Sequence, residues 1–551
     1  MAAASQSVFV DSIDVDVIDQ SQGFDAAAII ATENEHNLGF REAFRRYPRA
    51  VFWAIAISFT IVMEGYDTIL ISSFYAYPQF KQKYGTYIAD LDEWNIDATW
   101  QAALGDAAPC GSIIGLLING YVTERFGHRR VIMAGLVFMS AFIFLPFFAP
   151  NIKVLLAGQV LCGIPWGIFA VMGSSYASEV CPLALRGFLT SFVNICWVIG
   201  QLIAAGVLQG LVSNSTEWGY RIPFAIQWVW CLPLFLVAFF APDSPWWLVR
   251  KGRLADAEKS LVRLSPSSTP AETRLKLAMM VHTDNLEKAM KTESSFLDCF
   301  RSTNLRRTEI ACMVLAAQEL SGEAFAYGST YFFSQAGLNP SDSYKLNFGG
   351  TGIAFVATCV SWVMMHFYGR RTLIIAGMIG MVLILLIIGV LSYPAVHNSG
   401  AAWTEAVLTL VWLGVYSLTL GPQSFTVAAE ISATRVRSQT ISIARNTYNI
   451  GQIIAYTVEP YLINPTEANL KGKTAFIWMG TATLTLIWCI FRLPETKNLT
   501  YEELDILFEK GVPAWRFKST QIDLIRESDN IRGIVDEKKK VLYEERENIE
   551  E

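Results

Sequence analysis

Twelve apolar stretches in this 551-residue chain constrain its fold more than any other feature. They run at about 50–75, 99–120, 131–149, 153–176, 188–212 and 222–241, then at about 308–334, 349–368, 372–393, 404–427, 440–463 and 474–492. Roughly 20 apolar residues in a helix cross a bilayer. The reading is an all-α membrane protein of twelve transmembrane helices. Composition agrees: 52% of residues are hydrophobic and 17% charged, and the 34 Phe and 16 Trp suit aromatic belts at the interfaces. The net charge of −6 lies largely in the tails, and no run rich in Lys and Arg points to nucleic acid.

Arg41, Arg45, Arg46 and Arg49 stand just before the first span, so the positive-inside rule puts the N-terminus in the cytosol. The short loops holding Arg125, Arg129, Arg130 and Arg370, Arg371 follow the same rule. The loop predicted outside after the first span holds Asp90, Asp92, Glu93 and Asp97 instead. Residues 1–48 read as a disordered cytosolic tail without a cleavable signal peptide. Residues 49–243 and 306–495 read as two six-helix bundles, 244–305 as a cytosolic helical linker, and 496–551 as a second cytosolic tail.

The first span carries two acids, Glu64 and Asp67, in the middle of Ile61–Leu70. An ionised acid at the centre of a spanning helix costs on the order of 2.5–3.5 kcal/mol. Spaced i and i+3, the pair shares a helix face that must turn from lipid. A water-filled path for a proton or polar solute follows, and with it a transporter.

An internal repeat supplies the architecture. Glu124-Arg-Phe-Gly-His-Arg-Arg130 after span 2 is echoed by Tyr368-Gly-Arg-Arg371 after span 8. Ala177-Ser-Glu-Val-Cys-Pro-Leu-Ala-Leu-Arg-Gly187 after span 4 returns as Ala429–Arg437 after span 10, and Pro242-Asp-Ser-Pro245 as Pro494-Glu-Thr-Lys497. Three pairs in one order indicate two parallel halves with a substrate site between them. Glu124, Arg125, Arg129 and Arg130 with Glu179 and Arg186 can form a cytosolic ion-pair gate, mirrored by Arg370, Arg371, Glu430 and Arg437. Such a network would hold the outward-open state and break as the halves rock. The alternative is that these charges only fix topology.

Other chemistries find no support. None of the nine cysteines forms C-x-x-C, the five histidines offer no H-E-x-x-H, and Gly472-Lys-Thr474 has Glu467 where a phosphate loop needs glycine. No nucleophile–base–metal constellation appears, so no enzyme, metal or cofactor is expected.

Glu64-Gly-Tyr-Asp-Thr, Gly163-Ile-Pro-Trp-Gly, Tyr176–Gly187, Tyr220-Arg-Ile-Pro-Phe, Ser244-Pro-Trp-Trp-Leu-Val-Arg-Lys-Gly-Arg and Ala444-Arg-Asn-Thr-Tyr-Asn together resemble the sugar porter family of the major facilitator superfamily. The resemblance covers roughly residues 45–500 and is nearest to fungal α-glucoside (maltose-type) permeases. It implies the major facilitator fold and a sugar site built from Asn194 and Gln201 on span 5, Gln318, Tyr327 and Tyr331 on span 7, and Phe425 on span 10. Amides and hydroxyls suit sugar hydroxyls because they both donate and accept.

Some positions depart from the family pattern: Ala324 stands where Asn is usual, Ser112 where α-glucoside symporters carry an acid, Gln159 where hexose symporters carry an arginine. Glu319 and Glu323 are acids relatives do not typically have, and a late start to span 7 would leave them near its outer end. The mechanism expected is proton symport: Asp67, assisted by Glu64, takes a proton while Arg445 on span 11 competes for the carboxylate. The partners expected are a sugar, protons and the lipid bilayer, and the carrier is read as a monomer of the plasma membrane. An uncoupled facilitator, a carrier of a non-sugar metabolite, and a sugar receptor remain as alternatives. Gly111-x-x-x-Gly115 and Gly163-x-x-x-Gly167 predict close helix packing, and Asn214-Ser-Thr predicts a glycan.

Overall fold

The computed structural model describes residues 40–89, 92–291, 296–335, 338–395, 398–433, 436–497, 499 and 501–520. Six spans form the first half: Pro48–Phe74, Ala98–Phe126, His128–Phe148, Ile152–Val180, Leu183–Leu211 and Trp218–Phe240. The second half repeats them with Ser302–Gln335, Pro340–Phe367, Arg370–Ala395, Ser399–Ile431, Arg437–Ile463 and Thr474–Arg492. Span 7 is broken into Ser302–Leu320, Glu323–Tyr327 and Ser329–Gln335. Both described ends of the chain lie on one face, here the terminal face; the opposite one is the far face.

Ten spans are long and apolar enough to cross a membrane on their own. Spans 7 and 11 fall short because they carry Arg306, Arg307, Glu309, Glu319 and Glu323, and Arg445, Asn449, Gln452 and Glu459. These are inner helices whose polar residues face protein or cavity, where no lipid must be satisfied. The outer belt is apolar instead: Leu117, Leu232, Phe367 and Leu484 stand exposed.

Spans 2 and 4 meet at their glycines, as the spacing predicts. A Cβ on Gly111 or Gly115 would strike the carbonyls of Val160 or Ile164, and one on Gly163 or Gly167 those of Ala108 or Ser112. The halves meet along two seams, span 2 against span 11 and span 5 against span 8.

The linker folds onto the first half. Leu254–Leu264 buries Ala257, Ser260, Leu261 and Leu264, one face at i, i+3, i+4 and i+7. Trp247 Nε1 donates to Glu124 O at 2.9 Å, Ser267 Oγ to Arg46 O at 2.9 Å, and Arg46 pairs with Glu272. The start of the second predicted tail is packed rather than solvated. Tyr501–Glu509 buries Leu504, Ile506, Leu507 and Phe508 beneath span 7, and Arg307 Cζ lies 4.8 Å from the Phe508 ring. These apolar residues make one side of a short helix that the surrounding charges mask in sequence. Residues 1–39 and 521–551 lie outside the described residues.

Candidate functional site

Along Thr60–Phe74 nearly every side chain is buried, and Glu64, Thr68 and Ser72 alone are partly open. Their i, i+4, i+8 spacing makes one polar stripe. It faces a void of about 1030 Å³, open mouth included, between the two halves. Span 11 supplies the opposing stripe, Arg445, Asn449, Gln452, Tyr456 and Glu459, again at steps of four and three. Gln101 and Ser112 of span 2, Trp166, Trp197, and Tyr327 and Tyr331 of span 7 complete the wall. Aromatic faces with a few convergent amides and hydroxyls, at this size, suit a polar molecule with apolar ring faces.

Glu64 Oε1 lies 3.7 Å from Arg445 Nη2, an ion pair joining the halves. The guanidinium also covers the rings of Phe425 at 5.3 Å and Tyr448 at 5.0 Å. The expected competition of Arg445 for Asp67 is therefore corrected: Glu64 holds the arginine. Asp67 also borders the void but is only 2% exposed, and it is held within its own half, where Gln227 Nε2 donates to Oδ1 at 2.7 Å and Gln159 stands beside it. The cause is helical geometry. Three residues advance about 300° around a helix, so Asp67 sits about 60° from Glu64. That offset aims it at spans 4 and 6, where two neutral amides replace a cation.

Of the six residues predicted for the sugar, Tyr327 and Tyr331 line the void and four do not. Gln201 is buried beside the Tyr327 hydroxyl. Asn194 shares its face but lies seven residues along span 5, about 10 Å toward the terminal face. Gln318 is buried and accepts the Tyr416 hydroxyl at 2.9 Å. Phe425 supports Arg445 instead of meeting the void. The residues missed, Gln101, Asn449, Gln452 and Glu459, are polar positions at helical spacing, and that periodicity was the available signal. Ala324 does line the wall.

Glu319 and Glu323 are not near an outer end. Span 7 begins at Ser302, earlier than expected, because Arg306, Arg307 and Glu309 continue the helix beyond the apolar run. Both acids are therefore 1% exposed inside the second half.

The void is closed at the far face. The external loop forms a hairpin, β1 (Thr86–Ile88) with β2 (Glu93–Asn95), that delivers Asn95 between the halves. Asn95 Nδ2 donates to Tyr331 Oη and Asn464 Oδ1 at 3.2 Å each, and Asn464 Nδ2 to Ile96 O at 2.9 Å. Asn347 Nδ2 reaches Ser73 Oγ at 3.2 Å, and the Tyr344 hydroxyl donates to Ser73 O. The hydrogen bonds joining the halves between described residues gather on this side. Asp90 lies outside the described residues.

At the terminal face the predicted gate residues divide. Glu179 pairs with Arg250 of the linker, accepts from Ser244 Oγ, and lies 3.6 Å from His128 Nδ1. The expected pairing with Arg125, Arg129 or Arg130 is corrected, since Glu124, Arg125 and Arg130 face outward and Arg129 covers the Phe239 ring at 5.4 Å. Arg125 Nη1 donates to Tyr121 Oη at 2.9 Å. Arg125 and Arg130 are exposed, whereas Arg250 of the linker is the arginine that pairs with Glu179. In the second half Arg370 Nη2 donates to Glu430 Oε1 at 3.0 Å and Thr496 Oγ1 donates to Oε2, while Arg371 Nη2 reaches Ile490 O at 2.7 Å. The side chains of Arg186 and Arg437 lie outside the described residues. Asn214, after span 5, accepts from Thr216 N at 2.9 Å in a tight turn.

The chain matches the family described as "Sugar (and other) transporter" over residues 53–508. A maltose permease of Saccharomyces cerevisiae is 38% identical over 500 residues, 90% of this chain and 81% of that one. A general alpha-glucoside permease of the same organism is 37% identical over 499 residues, covering 90% and 80%. Among solved structures, the proton:xylose symporter XylE bound to 6-bromo-6-deoxy-D-glucose superposes with a TM-score of 0.68 at 19% identity, over 84% of this chain and 100% of that one. XylE from E. coli in a partially occluded inward-open conformation gives 0.67 at 18%, over 82% and 99%. These two likenesses establish the major facilitator fold.

Proposed function

The chain belongs to the sugar (and other) transporter family, and we propose that it imports an α-glucoside such as maltose together with protons, by alternating access. It is a carrier rather than an enzyme. The observation that carries the coupling is the Glu64–Arg445 pair, which ties the two halves together inside the central void. The substrate class rests on the likeness to permeases for maltose and α-glucosides across 90% of the chain.

A proton on Glu64 removes the charge that holds Arg445, so the tie between halves weakens. Sugar bound between Gln101 of the first half and Tyr327, Tyr331, Asn449 and Gln452 of the second replaces part of that tie. Each ligand then favours the same rearrangement, and coupling is reciprocal. Asp67, held by Gln227 and Gln159, fixes span 1 against spans 4 and 6 and takes a proton when those amides part. No cofactor is needed beyond the proton gradient.

In this reading the terminal face is cytosolic, with both tails, and the far face is outside. The Glu179–Arg250 and Glu430–Arg370 clusters gate the cytosolic side, each half from residues 49–243 and 306–495 moving as a body. The chain works as a monomer in the plasma membrane and carries a glycan on Asn214.

Uptake of labelled maltose in a transport-null cell, with and without a protonophore, tests the function. Accumulation above the external level that collapses with the protonophore is the expected result. Equilibration unaffected by it would establish a facilitator, and no uptake of maltose, sucrose or glucose would overturn the sugar reading.

A further inference from the structure

Three carboxylates, one partly open to the void and two buried, gather around one guanidinium at the centre of this protein. Glu64 has Arg445 at 3.7 Å. The other two, Glu319 and Glu323, stand one turn apart on span 7, either side of the break at Ser321-Gly322, where Gly322 has φ +100°. Both are 1% exposed. Neither oxygen of Glu319 has a hydrogen-bond partner among the described residues, nor has Oε2 of Glu323. The Tyr448 hydroxyl, on a residue that lines the void, lies 3.5 Å from Glu323 Oε1.

We propose that Glu319 and Glu323 form a second proton-binding site, separate from Glu64, which holds one shared proton and reaches the void through Tyr448. This inference rests on the symport reading for its role and on the geometry alone for its existence. Two ionised acids one turn apart in a dry interior repel each other, so one is neutral. Glu319 also occupies the last turn of Ser302–Leu320, where the helix carbonyls carry partial negative charge and disfavour an anion.

The groups facing the pair leave no other neutraliser. Span 11 presents Arg445, Tyr448 and Tyr456, span 10 presents Tyr416, and span 7 itself Tyr327. Span 12 brings Trp478 against Gly322 and Thr481 to the Leu320 carbonyl, neither charged. Arg445 is the one cation among these groups, and it is engaged by Glu64. With the arginine on Glu64, the span-7 pair keeps its proton. The pair exchanges its proton with the void through Tyr448, so it loads and unloads on the same side as Glu64 and its proton adds to the one that Glu64 carries.

The test uses the purified full-length chain and the Glu319→Gln/Glu323→Gln double variant. In detergent without sugar, potentiometric titration should show the variant releasing about one proton fewer than wild type between about pH 5 and 9. Identical titration curves overturn the proposal. Gln is isosteric with a protonated Glu, so the variant should reach the membrane. Failure to do so while Glu64→Gln succeeds would mean the pair is natively charged, which also overturns it. In proteoliposomes with labelled maltose and a trapped pH dye, the proton-to-maltose ratio should fall about twofold in the variant. Tyr448→Phe should slow proton uptake several-fold at an unchanged ratio. Loss of the titration difference refutes the second site; a preserved difference with no maltose transport in wild type refutes the sugar reading and leaves the site standing.

Discussion

In each half a hydroxyl two residues after a proline caps the same kind of glutamate: Ser244 on Glu179, Thr496 on Glu430. The cation that completes each cluster differs in origin. Arg370 opens span 9 and belongs to the second half itself, with its own backbone N–H donating to Glu495 Oε1 at 2.8 Å. Arg250 comes from the first helix of the linker. The repeat therefore preserves an anion and its hydroxyl cap, and leaves the source of positive charge free. One cluster is self-contained, and the other is assembled only while the linker is docked.

The same asymmetry holds at the centre. The first half holds Asp67 with two neutral amides and offers Glu64 to its neighbour; the second half supplies the arginine and buries a pair of acids. Glu64→Gln should do the most damage, cutting proton-driven accumulation on the order of 100-fold while sparing downhill exchange of labelled sugar. Undiminished accumulation would place coupling elsewhere. Asp67→Asn keeps an acceptor for Gln227, so its accumulation should fall by only on the order of tenfold. If it falls further than in Glu64→Gln, the two acids have exchanged roles.

The terminal-face clusters separate by stability. Glu430→Gln strands Arg370, which is 19% exposed, and should cost about 2 kcal/mol, read as a lower melting midpoint in detergent. Glu179→Gln should cost about 1.5 kcal/mol, because Arg250 is 36% exposed and water compensates it. Equal losses would mean the linker arginine is held as firmly as the bundle's own.

The smallest effect belongs to linker docking through Arg46–Glu272. Burial pushes the Glu272 carboxyl up, but the hydrogen bond from Arg46, the Thr269 N–H and the nearby Lys276 charge outweigh it and hold it below its ordinary 4.5. A depressed folded-state value means its contribution is complete above the unfolded value and fades as pH falls through the folded one. Glu272→Gln should cost no more than about 0.5 kcal/mol, given how open both side chains are. Protease cleavage of the linker should rise slightly in that variant at neutral pH, and in wild type only in acid.

The spans and the repeat were legible because lipid leaves a long, one-dimensional signature: apolar runs, basic loops, motifs recurring in order. The polar stripe of Glu64, Thr68 and Ser72, and that from Arg445 to Glu459, were equally periodic, and reading them would have outlined the void. Partner choice was not legible. Nothing local to Glu179 announces Arg250, 71 residues away, and the offset that sends Asp67 to Gln227 while Glu64 meets Arg445 needs the neighbouring helices in place. Glu319 and Glu323 were misplaced because the charges at 306–309 resemble a membrane boundary, while the helix passes straight through them.

The latch formed by Asn95, Asn464, Tyr331, Asn347, Tyr344 and Ser73 is made of amides, hydroxyls and a main-chain oxygen. Salt screens ions and acid titrates them, but neither touches these six residues; the Thr457 hydroxyl on Asp106 Oδ2, at 2.6 Å, is the one bond between the halves on that side, among the described residues, that acid reaches. Whatever the surroundings do to the rate of uptake must therefore be sensed deeper, at the carboxylates, leaving the latch itself indifferent to weather.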